Sequence, residues 1–156
     1  MTDPVEIGTE LEIATRLRLR AAPWLVEQLG ARFDWGFRAK PPLPALVLET
    51  ISDPRPHHFK GPQGLRETRV QGDAWAASRT EAKRIAMAVI NAMQGRAEIV
   101  IREEPGWERE MADAVRFEGA FADGPELSTE TQTEGVVHRA RFDLNIWWAL
   151  SEGDAQ

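Results

Sequence analysis

Apolar and polar residues alternate most strictly in the stretch ARFDLNIWW, which runs from Ala140 to Trp148. Its apolar members occupy every second position and are Ala140, Phe142, Leu144, Ile146 and Trp148. Successive side chains of a β-strand point to opposite faces of the sheet, so this period of two predicts a strand with one buried face. Trp147 then lies on the face opposite to Trp148.

The segment before this strand provides a partner for it. From Val115 to Phe121, apolar residues again alternate with polar or small ones, and this predicts a second strand. Residues 122–135 join the two strands and are expected to form a loop. The loop contains four acidic residues and no basic residue, the acids being Asp123, Glu126, Glu130 and Glu134.

Further strands are predicted earlier in the chain, over Leu46–Ile51 and Glu67–Ala74, with shorter extended stretches at Arg32–Phe37 and Ala97–Arg102. Residues 53–64 separate the first two strands and hold three prolines and two glycines. Loops of this length inside a compact domain commonly have a function. Its central residues are Pro56, His57, His58 and Phe59.

Two main helices are predicted. Residues 80–93 repeat apolar side chains at three and four positions, with Ser78 as the N-cap and Gly95 after the end. The other helix starts after Asp3 and Pro4 and ends near Arg20. A short helical piece is expected from Pro23 towards Gly30.

This order of elements, α-β-β-α-β-β with one optional further strand, predicts an α+β fold. We expect an antiparallel-rich sheet of four to five strands with the two main helices packed on one face. A length of 156 residues suits one domain, spanning residues 1–156.

Composition narrows the class of function. The net charge of −6 opposes general binding to DNA phosphates, and the absence of cysteine removes thiolate chemistry. The acidic start does not resemble a signal peptide, and no apolar stretch is long enough to cross a bilayer, so no membrane partner is expected.

No catalytic residue, cofactor or metal site is predicted. His57 and His58 are neighbours, and adjacent side chains on an extended chain point apart and rarely bind one ion. Motifs of phosphate-binding loops and serine hydrolases are absent. Trp147 has two interpretations: it anchors a protein contact, or a helix or loop of the same chain covers it.

Several segments resemble, in order and spacing, the tail-completion proteins of tailed bacteriophages, also called tail terminators or head-tail joining proteins. The segments are Trp24-Leu25-Val26 with Gly30, Arg32-Phe33 with Trp35-Gly36, Leu43-Pro44 before Val47-Leu48, residues 69–76, Thr80-Glu81-Ala82 and residues 141–147. Together they span nearly the whole chain.

The resemblance implies a structural virion protein and no enzymatic activity. Such proteins form a ring, typically of six subunits, that ends the tail tube and joins it to the head connector, while DNA passes through without specific binding. It also implies assembly in the cytoplasm of the bacterial host. A monomeric protein–protein adaptor is the alternative, and a small enzyme is the third candidate.

A ring requires two different, complementary patches on each subunit. We expect the two long loops and the outer face of the last strand to provide contacts with neighbouring subunits or the lumen. The candidate interface residues are Pro56, His57, His58, Phe59, Asp123, Glu126, Glu130, Glu134 and Trp147.

Overall fold

Three helices and six strands make up the computed structural model, which describes residues 5–30, 33–35, 43–52, 64–132 and 135–151. The elements are α1 (Val5–Arg20), α2 (Pro23–Leu29), β1 (Phe33–Trp35), β2 (Ala45–Ser52), β3 (Arg66–Ala76), α3 (Arg79–Met93), β4 (Ala97–Val100), β5 (Ala114–Gln132) and β6 (Gly135–Ser151). The strands form one sheet in the order β1-β2-β3-β6-β5-β4. β1 is parallel to β2, and all other neighbours are antiparallel.

The predicted α+β class, with an antiparallel-rich sheet, is confirmed. Apolar side chains of all three helices join one buried cluster with a single face of the sheet. The sheet has six strands where four to five were expected, because the short strands β1 and β4 both pair with a longer neighbour. Within the described ranges, no helix is long and apolar enough to cross a membrane.

The sequence around α3 explains where this helix begins and what it buries. The Ser78 side-chain oxygen accepts a hydrogen bond from the backbone N–H of Glu81 at 3.1 Å, which satisfies one of the free amides of the first turn. The buried side chains recur at three and four positions and are Ala82, Ile85, Ala86, Val89, Ile90 and Met93. Gly95 follows the helix with φ of +86°, a conformation that favours glycine.

Arg18 of α1 binds the chain just beyond the C-terminus of α3. Its guanidinium donates hydrogen bonds to the carbonyl oxygens of Gln94 at 2.7 Å and Gly95 at 3.2 Å, and lies over the Phe117 ring. Partial burial lowers the pKa of Arg18. A cation near the C-terminal end of a helix interacts favourably with the helix dipole, so this contact stabilises the packing of α1 against α3.

β3 and β6 are the central strands. They form eleven consecutive antiparallel pairs, from Arg66 opposite Trp148 to Ala76 opposite His138. Trp148 is fully buried beneath the helices, and its indole N–H donates to the Thr68 hydroxyl at 2.9 Å. A buried indole needs such a partner, because an unpaired polar group in the core is costly.

Gly72 has a packing role in this central pair. It lies opposite Phe142, and a Cβ atom built on Gly72 would come within 2.8 Å of three atoms of the Phe142 ring. Phe142 is itself fully buried. The aromatic ring therefore fills the space above the glycine, and both residues are required for dense packing.

We predict that Gly72→Ala lowers the free energy of unfolding by about 1–3 kcal/mol, because an overpacked core forces side chains to shift. Chemical denaturation measures the change. Gly119→Ala is the matched control, since no atom lies within 4 Å of a Cβ built there, and we expect no loss of stability. A tolerated Gly72→Ala substitution would contradict the packing role.

The predicted loop over residues 122–135 is wrong. β5 continues through Gln132 and β6 begins at Gly135, so the two strands form one long hairpin. The Gly124–Pro125 dipeptide lies at a register shift between Asp123 and Glu126, which breaks the alternation without ending the strand. Beyond it, Thr129 Oγ1 and His138 Nδ1 are joined across the strands at 3.0 Å.

The face of the sheet opposite the helices, here called the open face, carries ion pairs between strands. On β3, β6 and β5 it includes Glu67, Arg69, Gln71, Asp73, Trp75, Arg139, Arg141, Asp143, Asn145, Trp147, Gly119, Phe121, Asp123, Glu126 and Glu130. Arg141 donates two hydrogen bonds to the Asp73 carboxylate at 2.8 and 3.0 Å. Asp73 in turn raises the pKa of Arg141. Such bidentate pairs have a defined geometry and help to hold neighbouring strands in register.

We predict that Asp73→Asn lowers the free energy of unfolding by about 1 kcal/mol, a modest value because Arg141 is partly exposed. The loss should shrink in high salt, where the remaining cations repel each other less. Asp123→Asn removes a carboxylate from the same face and is the control, with an expected change below about 0.5 kcal/mol. Equal effects of the two substitutions would refute a stabilising pair.

Candidate protein-interaction surfaces

The predicted interface residues fall into two groups. Four of them lie on the hairpin strands, namely Asp123, Glu126 and Glu130 of β5 and Trp147 of β6. The other five lie outside the described residues and are Pro56, His57, His58, Phe59 and Glu134. The four described residues therefore lie together on one face of the sheet.

The three hairpin carboxylates all lie on the open face. Their cross-strand partners on β6 are Asp143 for Asp123, Arg141 for Glu126 and Val137 for Glu130. An ion pair links Glu130 to Arg139 at 3.4 Å, so the expectation of uncompensated acids is wrong for this residue. Asp123 and Glu126 are exposed and form no ion pair within the described part of the chain.

Trp147 is half-buried on the open face, between Glu67 of β3 and Gly119 of β5. Glycine at position 119 leaves its side uncovered. Phe121 follows two residues later on the same face and is diagonal to Trp147, within reach of an aromatic ring. With 70% of its surface exposed, Phe121 is the most exposed large hydrophobic residue in the described ranges. Trp147 and Phe121 form an aromatic patch.

The sequence pattern does not reveal Phe121 as an interface candidate. Strict alternation places it with Val115 and Phe117, which are both buried. A register shift between Phe117 and Gly119 adds one residue and turns Phe121 to the open face, while Ala120 packs against the core. The glycine at 119 was the available signal, because isolated glycines in strands often accompany bulges.

One edge of β5 is unpaired over most of its length. β4 pairs only with Ala114–Phe117, and no other strand in the described residues pairs with the same edge from Gly119 to Gln132. Exposed strand edges invite pairing with other chains, and acidic side chains or bulges limit this. Asp123, Glu126 and the register shift between them supply both forms of protection.

A second surface lies on the helix layer, between α2 and α3. A groove of about 360 Å³ is lined by Trp24, Lys83, Arg84, Met87, Ala88 and Asn91. The Arg84 guanidinium lies 5.3 Å from the Trp24 ring, in cation–π contact. Met87 is exposed, so this surface, here called the α2–α3 groove, combines cations with apolar side chains.

Among the described residues, two carboxylates have shifted pKa values, and the shifts have different causes. Burial raises the pKa of Glu12, and Arg16 partly offsets this. Hydrogen bonds from Arg116 and then Arg96 lower the pKa of Glu118, which is held ionised. A carboxylate pair that divides the acid and base roles needs two groups whose pKa values are split within one site. Within the described residues, no group of three His, Asp or Glu side chains is placed to hold a metal ion.

Comparison with known proteins identifies the fold. No protein-family model matches the chain, and no curated protein matches its sequence. Solved structures do match, among them a chain from the virion of a native gene transfer agent particle, with a TM-score of 0.54 and 16% sequence identity. The alignment covers 91% of this chain and 98% of that chain. The arrangement of helices and sheet described above is therefore similar, over almost its full length, to that of a virion chain.

Proposed function

We propose that this chain is a structural protein of a virion and acts at the head-tail joint of a tailed, phage-like particle. The observation that carries the proposal is the fold likeness to a virion chain, which extends over nearly the whole of both chains. The order of motifs that resembles tail-completion proteins supports the same role independently of the fold. In this role the chain is one domain and catalyses no reaction.

The proposed action is mechanical. Copies of the chain, six in the resembling family, form a ring that ends the tail tube and binds the head connector. A closed ring needs two different patches on each subunit, and our candidates for them are the aromatic patch and the α2–α3 groove. A net charge of −6 lets DNA pass through the lumen without tight binding. Assembly takes place in the host cytoplasm and the finished protein resides in the virion.

A monomeric adaptor is the second candidate. The exposed Phe121 beside Trp147 favours it, because aromatic side chains commonly anchor protein contacts. An adaptor would use this patch for one partner and would not need the α2–α3 groove. The two functions therefore differ in oligomeric state and in the number of surfaces required.

We predict that the purified chain, added to polymerising tail-tube protein of the same particle, stops tube growth and is found as a ring at one tube end. Negative-stain electron microscopy with a gold-labelled chain measures tube length and label position. Light scattering gives the oligomeric state of the chain alone. Addition of bovine serum albumin at the same concentration is the control.

Failure to bind tube ends, together with a strictly monomeric chain at all concentrations, would reject the ring and favour the adaptor. Label spread along the tube wall would reject the terminating role. Either outcome leaves the fold unchanged and concerns only the proposed function.

A further inference from the structure

We propose that Phe121 of one copy inserts into the α2–α3 groove of the next copy, where Asp123 and Glu126 meet Lys83 and Arg84. The contact joins different surfaces of two identical chains, head to tail. It rests on the proposed ring and specifies which surfaces form the ring contact.

The inserting surface is the free edge of β5 around Phe121. This residue is 70% exposed, whereas ordinary burial would place a phenylalanine in the core. Phe121 and Asp123 are two residues apart on one face, so roughly 7 Å separates them along the strand. Glu126 follows beyond the register shift on the same face.

The receiving surface has complementary chemistry. Its apolar part consists of Trp24, Met87 and Ala88, which line an open groove of about 360 Å³. Lys83 and Arg84 lie three to four residues from Met87, on the neighbouring turn of α3. An aromatic side chain flanked by carboxylates therefore meets an apolar groove flanked by cations.

Charge also argues against the simplest competing contact, a two-fold dimer through the β5 edge. With the two-fold axis near the middle of the free edge, between Asp123 and Glu126, Asp123 of one copy would face Glu126 of the other. Like charges directly opposite each other are destabilising in paired strands. The acidic edge consequently disfavours itself as a partner and favours a cationic surface, which α3 supplies with Arg79, Lys83 and Arg84.

Charge reversal provides the test. In the acid-reversed variant, Asp123→Lys is combined with Glu126→Lys; in the base-reversed variant, Lys83→Glu is combined with Arg84→Glu. Each alone should weaken subunit association at least about tenfold, because two like-charged surfaces then meet. Mixed in equal amounts, the two variants should assemble again, since each presents the surface that the other lacks. Sedimentation velocity and electron microscopy on tail-tube ends measure both effects.

Matched controls separate the contact from general effects of charge and exposure. Glu108→Lys combined with Glu110→Lys makes the same charge change on exposed residues of the segment between β4 and β5, and should leave association unchanged. Phe121→Ser should weaken association, whereas Val100→Ser, at a residue 57% exposed on β4, should not. Thermal unfolding confirms that each variant is folded.

The outcomes distinguish the contact from the ring itself. Wild-type rings together with unchanged rings of the acid-reversed variant would overturn the contact and leave the proposed function in place. Failure of the mixture to assemble, when both variants are folded, would also overturn it. A wild-type chain that forms no ring on tube ends would overturn the proposed function and the contact with it.

Discussion

The register of the central strand pair is the constraint on which the rest of the structure depends. Eleven pairs between β3 and β6 place Phe142 and Trp148 under the helices and Asp73 and Arg141 on the open face. A shift by one residue would exchange the two faces, exposing the aromatic residues and burying a charged pair. The same register places the Phe142 ring over Gly72, where a larger side chain would collide with it.

The same register determines where the free surfaces lie. β6 is held between β3 and β5, so within the described residues the free edge of the hairpin belongs to β5. β5 is much longer than β4, so the part of its edge beyond Phe117 is not paired with β4 and lies beside the aromatic patch. Two register shifts in β5 decide which side chains lie there, because each shift changes the face to which later residues point. The exposed Phe121 is thus a consequence of backbone irregularity within a regular sheet.

Local sequence patterns predicted most helices and strands correctly, but they predicted less well which strands and side chains contact each other. α3 follows from its Ser78 cap and apolar spacing, and β6 from the alternation of residues 140–148. The hairpin over residues 122–135 was missed because Gly124, Pro125 and several acids are typical of loops. Its pairing depends on contacts of β5 with β6, such as Glu130 with Arg139, and a local pattern does not reveal such partners. Arg18 was likewise recognisable only as a cation at a helix end, and not as a contact to Gln94.

Acidic side chains lie on the edge of β5 and basic side chains lie on α3, and the strength of their attraction decides under which conditions a ring would form. A contact made of one aromatic insertion and a few partly screened ion pairs is modest in free energy at physiological salt. Modest contacts become effective when several act together or when a template raises the local concentration of subunits. A tail-tube end presents repeated sites around one axis and would supply both conditions. Weak contacts between free copies are then compatible with a stable ring on the tube, while Asp123, Glu126 and the register shift between them limit pairing through the exposed edge of β5.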